Sequence, residues 1–333
     1  MRIFVTGAAG FVGSHLAEAL IDAGHTVVGC DNFISGSIDN VPKEVEFYDA
    51  DCLDYDLMVR LTKNVELVYH CAALPYEGLS VFSPYLITKS IYCASVSVMT
   101  ASIKNNVKRF VFLSSMARYG RNKVPFTENM RPHPQDPYGI SKYAAELVLR
   151  NLCQVHGMEY VIAIPHNIYG PRQKYDDPFH NVVVIMINSM LQGKQPIIYG
   201  NGSQKRCFAF VKDLIAPLIR IGFEKGLSGE IFNLGPDEEF VSIYTLAKTI
   251  AELLNFRLVP IYVEGRPMEV RLANCSATRA KRILGFGQWT PLREGLKATI
   301  EYIRTNGPKP FKYHLDIELP SKKCPRTWTE RMF

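Results

Sequence analysis

The stretch VTGAAGFVGSH, Val5–His15, decides how this chain is read. Before it stand Arg2, Ile3 and Phe4, so a β-prone run leads straight into glycines at 7, 10 and 13. After the glycines the apolar residues take on helical spacing through GFVGSHLAEALID. Strand, glycine turn and helix in that order make the first half of a βαβ unit. Glycines there permit a tight turn, let backbone amides approach a pyrophosphate, and allow close helix–strand packing. A plain structural turn would use some of the same glycines, so the rest of the chain has to decide.

Working outward, the strand candidates are RIFVTG, TVVGCD, VEFYDA, ELVYHCA, RFVFLSS and EYVIAIP, with helical segments between them that include residues 83–106 and PYGISKYAAELVLRNLCQVHG. Continuously apolar strands alternating with helices predict an α/β fold: a doubly wound parallel Rossmann sheet with ligands at the carboxyl ends of its strands. After Gly170 the rhythm changes, and a smaller C-terminal substrate lobe is expected. The expected division is a dinucleotide-binding domain over 1–170, joined by part of 205–240, a second lobe over 171–305, and an irregular tail over 306–333. The predicted strands of the second part include PIIYG, EIFNLG and RLVPIYVE.

Composition narrows the class. The 333 residues are 47% hydrophobic and 21% charged, ordinary for a globular chain. No run of 18 apolar residues occurs, so no transmembrane helix and no membrane partner are expected. The N-terminus lacks a long enough apolar segment for a signal peptide and reads as a core strand. Cysteines 30, 52, 71, 93, 153, 207, 275 and 324 are scattered without a C-x-x-C pair, the pattern of reduced thiols in a cytoplasmic protein, and no metal site is expected. A net charge of +6, with about half of it in the tail, gives no nucleic-acid footprint.

Asp31 ends the second strand, where an acid can hydrogen-bond an adenosine ribose diol, although a strand-end turn would also use it. No Arg or Lys occupies 32–42 to take a 2′-phosphate, which points to NAD rather than NADP. Tyr138 and Lys142 in YGISK lie four apart at a helix start and share a face. A nearby ammonium and the positive nicotinamide would draw a phenol toward useful basicity. An ordinary amphipathic helix with a surface Tyr and Lys would look the same in isolation. In LSSMARYG, Leu113–Gly120, a buried strand ends in two hydroxyls.

These motifs together, with DAD at 49–51, HCAA at 70–73, PHNIYGPRQ, YGNGSQKR…FVKD and RPMEVRLANCSATRAKRILGF, resemble the extended short-chain dehydrogenase/reductase family. The pattern is closest to NAD-dependent sugar-nucleotide epimerases of the UDP-glucose 4-epimerase type, over roughly residues 1–305. The resemblance implies Ser115, Tyr138 and Lys142 as catalytic residues. It implies Gly7, Gly10, Phe11, Val12, Gly13, Asp31, Asn32, Asp51, Cys52 and Ala72 at the cofactor, beside Tyr138 and Lys142. At a nucleotide-sugar substrate it implies Ser115, Met116, Asn167, Arg206 and Arg266, with Arg271 falling where the family tunes its sugar pocket. Sugar-nucleotide 4,6-dehydratases carry an Asp-Glu pair after the Ser/Thr, and UDP-glucuronate decarboxylases usually carry a Glu first. Here those positions are Met116 and Ala117, which cannot transfer protons. What remains is transient oxidation at one carbon, hence epimerisation.

Several positions depart from the family pattern. Arg118 precedes the motif tyrosine in place of a valine, Ser90-Ile91-Tyr92-Cys93-Ala94 replaces N-x-x-G-T, AIPHN lacks a usual arginine, and Cys207 follows Arg206 where Asp is usual. An Arg271 facing the sugar would suit a uronic acid; it could equally pair with Glu269 or turn to solvent. A homodimer built on helix 83–106 and the Tyr–Lys helix is expected by resemblance. Epimerisation at another carbon, net dehydrogenation, and a non-catalytic NAD-binding regulator stay open as alternatives.

Overall fold

A computed structural model describes residues 1–333. Seven parallel strands form the central sheet: β1 (Arg2–Thr6), β2 (Thr26–Asp31), β3 (Glu46–Asp49), β4 (Leu67–His70), β5 (Arg109–Leu113), β6 (Glu159–Pro165) and β7 (Ile231–Leu234). Their spatial order is β7-β6-β5-β4-β1-β2-β3, so the connections reverse between β1 and β4. That reversal opens the crevice in which doubly wound sheets hold ligands.

The unbroken apolar runs follow from burial on both faces. Phe4, Val28, Val68, Phe110, Phe112 and Ile162 point into one hydrophobic cluster. Their neighbours Val5, Val27, Tyr69, Val111 and Val161 point into the other. A period of two with both faces apolar leaves no polar stripe to read.

On one face lie α1 (Phe11–Asp22) and, later in the chain, α7 (Val211–Phe223) and α9 (Thr278–Leu284). On the other lie α2 (Tyr55–Leu61), α4 (Pro84–Lys104) and α5 (Pro137–His156). The single turn α3 (Glu77–Ser80) sits between β4 and α4. Residues 209–234 thus return to the sheet domain, and so does α9, which lies beyond the 205–240 segment anticipated from the sequence.

α4 is one continuous helix by hydrogen bonding, but Lys89–Cys93 within it is π-helical. The widened turn falls on the unusual Ser90–Ala94 stretch, and single-turn π segments favour functional sites. By length and composition alone this 21-residue helix could cross a membrane, since 18 of its residues reach a mean hydropathy of 1.3. In the fold it packs on α2 and α5, with Ile87, Ile91, Val98 and Met99 wholly buried.

A third cluster forms the second lobe, where α6 (Val182–Leu191), α8 (Ile243–Leu254) and α10 (Leu292–Asn306) pack together. The predicted strand RLVPIYVE shrinks to Ile261–Val263, paired with Ile197–Tyr199. Pro260 has no amide to donate, so pairing begins only after it.

Residues 307–333 are not a loose tail. They leave α10, where Lys309 exchanges hydrogen bonds with the Asn188 side chain and Lys312 N–H donates to Asp176 O. They then cross to the sheet domain, where Ser83 Oγ donates to Asp316 O and the Glu318 carboxylate accepts from Tyr85 and Leu86 N–H at the start of α4. A last turn, α11 (Arg326–Thr329), buries Trp328 against Phe82 and Phe179. All eight cysteines are free thiols.

Candidate active site

One cavity of about 420 Å3 runs across the carboxyl ends of the strands and into the second lobe. Its floor at one end is the glycine turn. Gly7 has φ +71°, and a Cβ there would meet Ala72 N at 2.9 Å. A Cβ on Gly13 would lie 2.0 Å from Gly7 O, so α1 can sit this close to β1 only with glycine. α1 begins at Gly10 with no side-chain cap, which leaves its first amides free for an anion. This capless helix start beside an enclosed acid fits the diphosphate and ribose of a dinucleotide.

The acid is Asp31, which accepts from Phe33 N–H at 2.8 Å; burial raises its pKa. Asn32 donates to Asp51 at 2.9 Å, and Asp51 also accepts from Leu53 N–H at 2.8 Å. Asp31, Asn32, Asp51, Cys52, Phe11, Val12 and Ala72 all line this end of the cavity, with Gly7, Gly10 and Gly13. Beneath it, His70 bridges Thr6 Oγ1 at 2.7 Å and Ser95 Oγ at 3.0 Å. Burial pushes the His70 imidazole down to about 3, so it is a neutral staple between the end of β1 and α4.

The middle of the cavity holds the groups that could move protons. Asp136 caps α5, and Pro137 opens it, so Tyr138 and Lys142 project from the first turns of a rigid 20-residue helix. The Ser115 hydroxyl approaches the Tyr138 phenol. Burial raises that phenol's pKa strongly, the Ser115 contact opposes the rise, and Glu77 and Asp136 add to it. Lys142 is buried, donates from Nζ to Leu113 O at 2.7 Å, and is brought down to about 8 by desolvation.

Ser114, the other hydroxyl of the strand end, turns away and donates to Glu146. Glu146 is wholly buried and pairs at 3.1 Å with Arg118, itself only 2% exposed. The non-family arginine is thus consumed one helical turn behind Lys142, where it also lies over the Tyr119 and Tyr143 rings at 5.3 and 5.6 Å.

At the far end, Arg206 and Arg266 converge on Glu269. Arg266 Nη2 stands 3.0 Å and Arg206 Nη2 4.0 Å from its carboxylate, and the Arg266 guanidinium stacks 4.9 Å over Tyr199. Arg206 is further aimed by donating to the carbonyls of Val270 and Arg271. Asn167 donates to Cys207 O at 2.9 Å, and it lines the same space as Met116. Arg271 does not join them. Its backbone carbonyl is spent on Lys205 and Arg206, and its side chain is exposed outside the cavity, so the sugar-facing role is corrected.

Sequence reasoning missed Glu77, Asp136, Asn181, Tyr199, Trp328 and Phe333, all of which line the cavity. Asn181 carried a signal, since an Asn before the apolar run Val182–Met186 is a helix cap. Asp136 before Pro137 carried a similar one. Trp328 and Phe333 carried none, because their contacts depend on where the last segment docks.

The profile of the NAD dependent epimerase/dehydratase family matches residues 3–235. A putative UDP-glucose 4-epimerase from Methanocaldococcus jannaschii is 34% identical over 310 residues, covering 91% of this chain and 99% of its own. UDP-glucuronic acid decarboxylase 1 of Xenopus tropicalis is 30% identical over 309 residues, covering 91% and 72%. Among solved structures, UDP-glucose 4-epimerase from Thermotoga maritima with UDP-glucose has a TM-score of 0.86 at 35% identity, covering 92% and 99%. A UDP-glucuronic acid 4-epimerase from Bacillus cereus, with UDP-glucuronic acid and NAD, has a TM-score of 0.86 at 26% identity, covering 92% and 100%. The chain belongs to the NAD-dependent epimerase/dehydratase family, and it is an NAD-dependent enzyme of the nucleotide-sugar class.

Proposed function

We propose that this chain epimerises a UDP-hexose at C4 through a transient 4-keto sugar. The observation that carries this is the single cavity in which Ser115, Tyr138 and Lys142 stand between the glycine turn and the Arg206–Arg266 pair. NAD, when bound, supplies the hydride acceptor for C4 and the donor for its return.

Tyr138 takes the proton of the 4-hydroxyl as C4 is oxidised, and Ser115 hydrogen-bonds the same oxygen. The Lys142 ammonium stabilises the phenolate, which burial alone disfavours. Arg206 and Arg266 offer guanidinium forks to the diphosphate, in place of the present contacts to Glu269. Held by that end only, the keto sugar can turn over and receive hydride on its other face. Tyr138 then returns the proton, and the reaction closes without net oxidation.

Met116 and Ala117 follow Ser115 with no ionisable group, which supports epimerisation over elimination or loss of a carboxylate. A homodimer is part of the proposal: Tyr85 on α4 and Ile140 and Leu147 on α5 are 69%, 51% and 47% exposed.

The test is incubation with UDP-glucose, UDP-N-acetylglucosamine and UDP-glucuronate, followed by NMR. A C4 epimer without NADH accumulation is expected, reduced about 10²–10⁴-fold in Tyr138→Phe. Net NADH, a dehydrated sugar or a pentose product would overturn the reading.

A further inference from the structure

A hexose whose 4-hydroxyl meets Tyr138 and whose diphosphate meets Arg206 and Arg266 must lie along the wall between them. That wall is α3. At one end of the turn the Ser80 hydroxyl approaches Asp136, the residue capping the Tyr138 helix. Toward the other, Gly78 faces Arg266, and a Cβ there would fall 3.0 Å from Arg266 Nη1 and 3.4 Å from Trp328 Cη2. Glu77 projects from this turn into the cavity. Both arginines and Asp136 feel its charge, yet no side chain of the protein hydrogen-bonds its carboxylate.

We propose that Glu77 faces the hexose ring and excludes sugars bearing a carboxylate, which makes it a specificity-determining residue for neutral hexoses. The inference rests on the nucleotide-sugar reading above. Its physical basis is a charge count. Arg206 and Arg266 are already opposed by Glu269 and Glu77, and a bound diphosphate adds further negative charge. A uronate on a ring beside α3 would share this stretch of the cavity with Glu77, where like charges repel.

The remaining lysines of the cavity are held elsewhere, Lys174 donating from Nζ to Ile34 O at 3.1 Å. Lys142 is turned to Leu113 O, and Arg271 lies outside the cavity. Hydroxyl groups of a neutral sugar instead offer donors to a carboxylate that otherwise has none, and a charge-assisted bond of that kind is a strong one. The Glu77 side chain is exposed to the cavity rather than packed into its wall, and desolvation by the groups around it raises its pKa.

The experiment is calorimetric titration of NAD-loaded Tyr138→Phe protein, with and without Glu77→Gln, by UDP-glucose and by UDP-glucuronate. In the Glu77 form, UDP-glucose is expected to bind at least tenfold more tightly. Glu77→Gln is expected to shift the ratio of the two dissociation constants at least tenfold toward UDP-glucuronate. Because a general gain in phosphate affinity cancels in the ratio, an unchanged ratio overturns the proposal, as does failure to bind either ligand. Turnover by the Tyr138-intact enzyme is scored separately: selective binding without epimerisation would sink the parent reading and leave the role of Glu77 standing.

Discussion

Replacing Arg118 by methionine isolates the consequence of the chain's most unusual buried pair. Glu146 would keep the Ser114 hydroxyl and the half-exposed Arg150 at 3.7 Å, but lose the guanidinium at 3.1 Å. Removing one partner of a buried ion pair costs about 3–5 kcal/mol, and the residual contacts place this case near 3. An unfolding entropy of about 2.1 cal/mol/K per residue, over 333 residues, converts 1 kcal/mol to about 1.4 °C. The melting temperature should therefore fall by about 4 °C near neutral pH.

The loss should also depend on pH. Burial raises the Glu146 pKa, and Arg118 is the largest influence holding it down. Without Arg118 the folded-state pKa climbs further above the unfolded value. An acid shifted that way costs nothing at a pH below both values, and its full penalty appears only above the folded pKa. The melting gap should thus close toward pH 4 and widen toward pH 8. Arg118→Met/Glu146→Met, which removes both charges, should recover most of the loss. Calorimetry showing Arg118→Met within 1 °C of wild type at every pH would refute the reasoning.

Two further outcomes can be checked directly. Gly13→Ala places a methyl 2.0 Å from Gly7 O, so α1 must retreat from the turn; at least a hundredfold loss of NAD affinity is expected by fluorescence titration. If Tyr85, Ile140 and Leu147 form a dimer face, Ile140→Glu/Leu147→Glu should sediment as a monomer where wild type sediments as a dimer, and two identical profiles would refute that face.

The parts of the fold that could be read from the sequence are those in which short-range pattern and burial agree. β1, the glycine turn and α1 are contiguous, and the Tyr138–Lys142 pair shares one turn of helix, so spacing alone places their side chains. Glu77 was invisible because its four-residue turn has neither period nor cap, and its meaning comes from Arg266 and Asp136, distant in the chain. Arg271 went wrong for the opposite reason. The resemblance to the family pattern set it at the sugar pocket, but the backbone there pairs with Lys205 and the side chain is exposed outside the cavity. Arg118 looked like an anomaly until Glu146, 28 residues later, supplied the counter-charge.

The docked segment 307–333 also sets an order of assembly. Everything it touches, from Phe82 to Asn188 and Tyr199, precedes it in the chain. As the polypeptide leaves the ribosome, the sheet and its glycine turn can organise first, since domains fold from the N-terminal side as they emerge. The wall contributed by Trp328 and Phe333 arrives after them. A nascent molecule therefore passes through a stage in which the glycine-turn end of the cavity is built while the end beside Arg266 still lacks a side. The strap then lies down across both lobes.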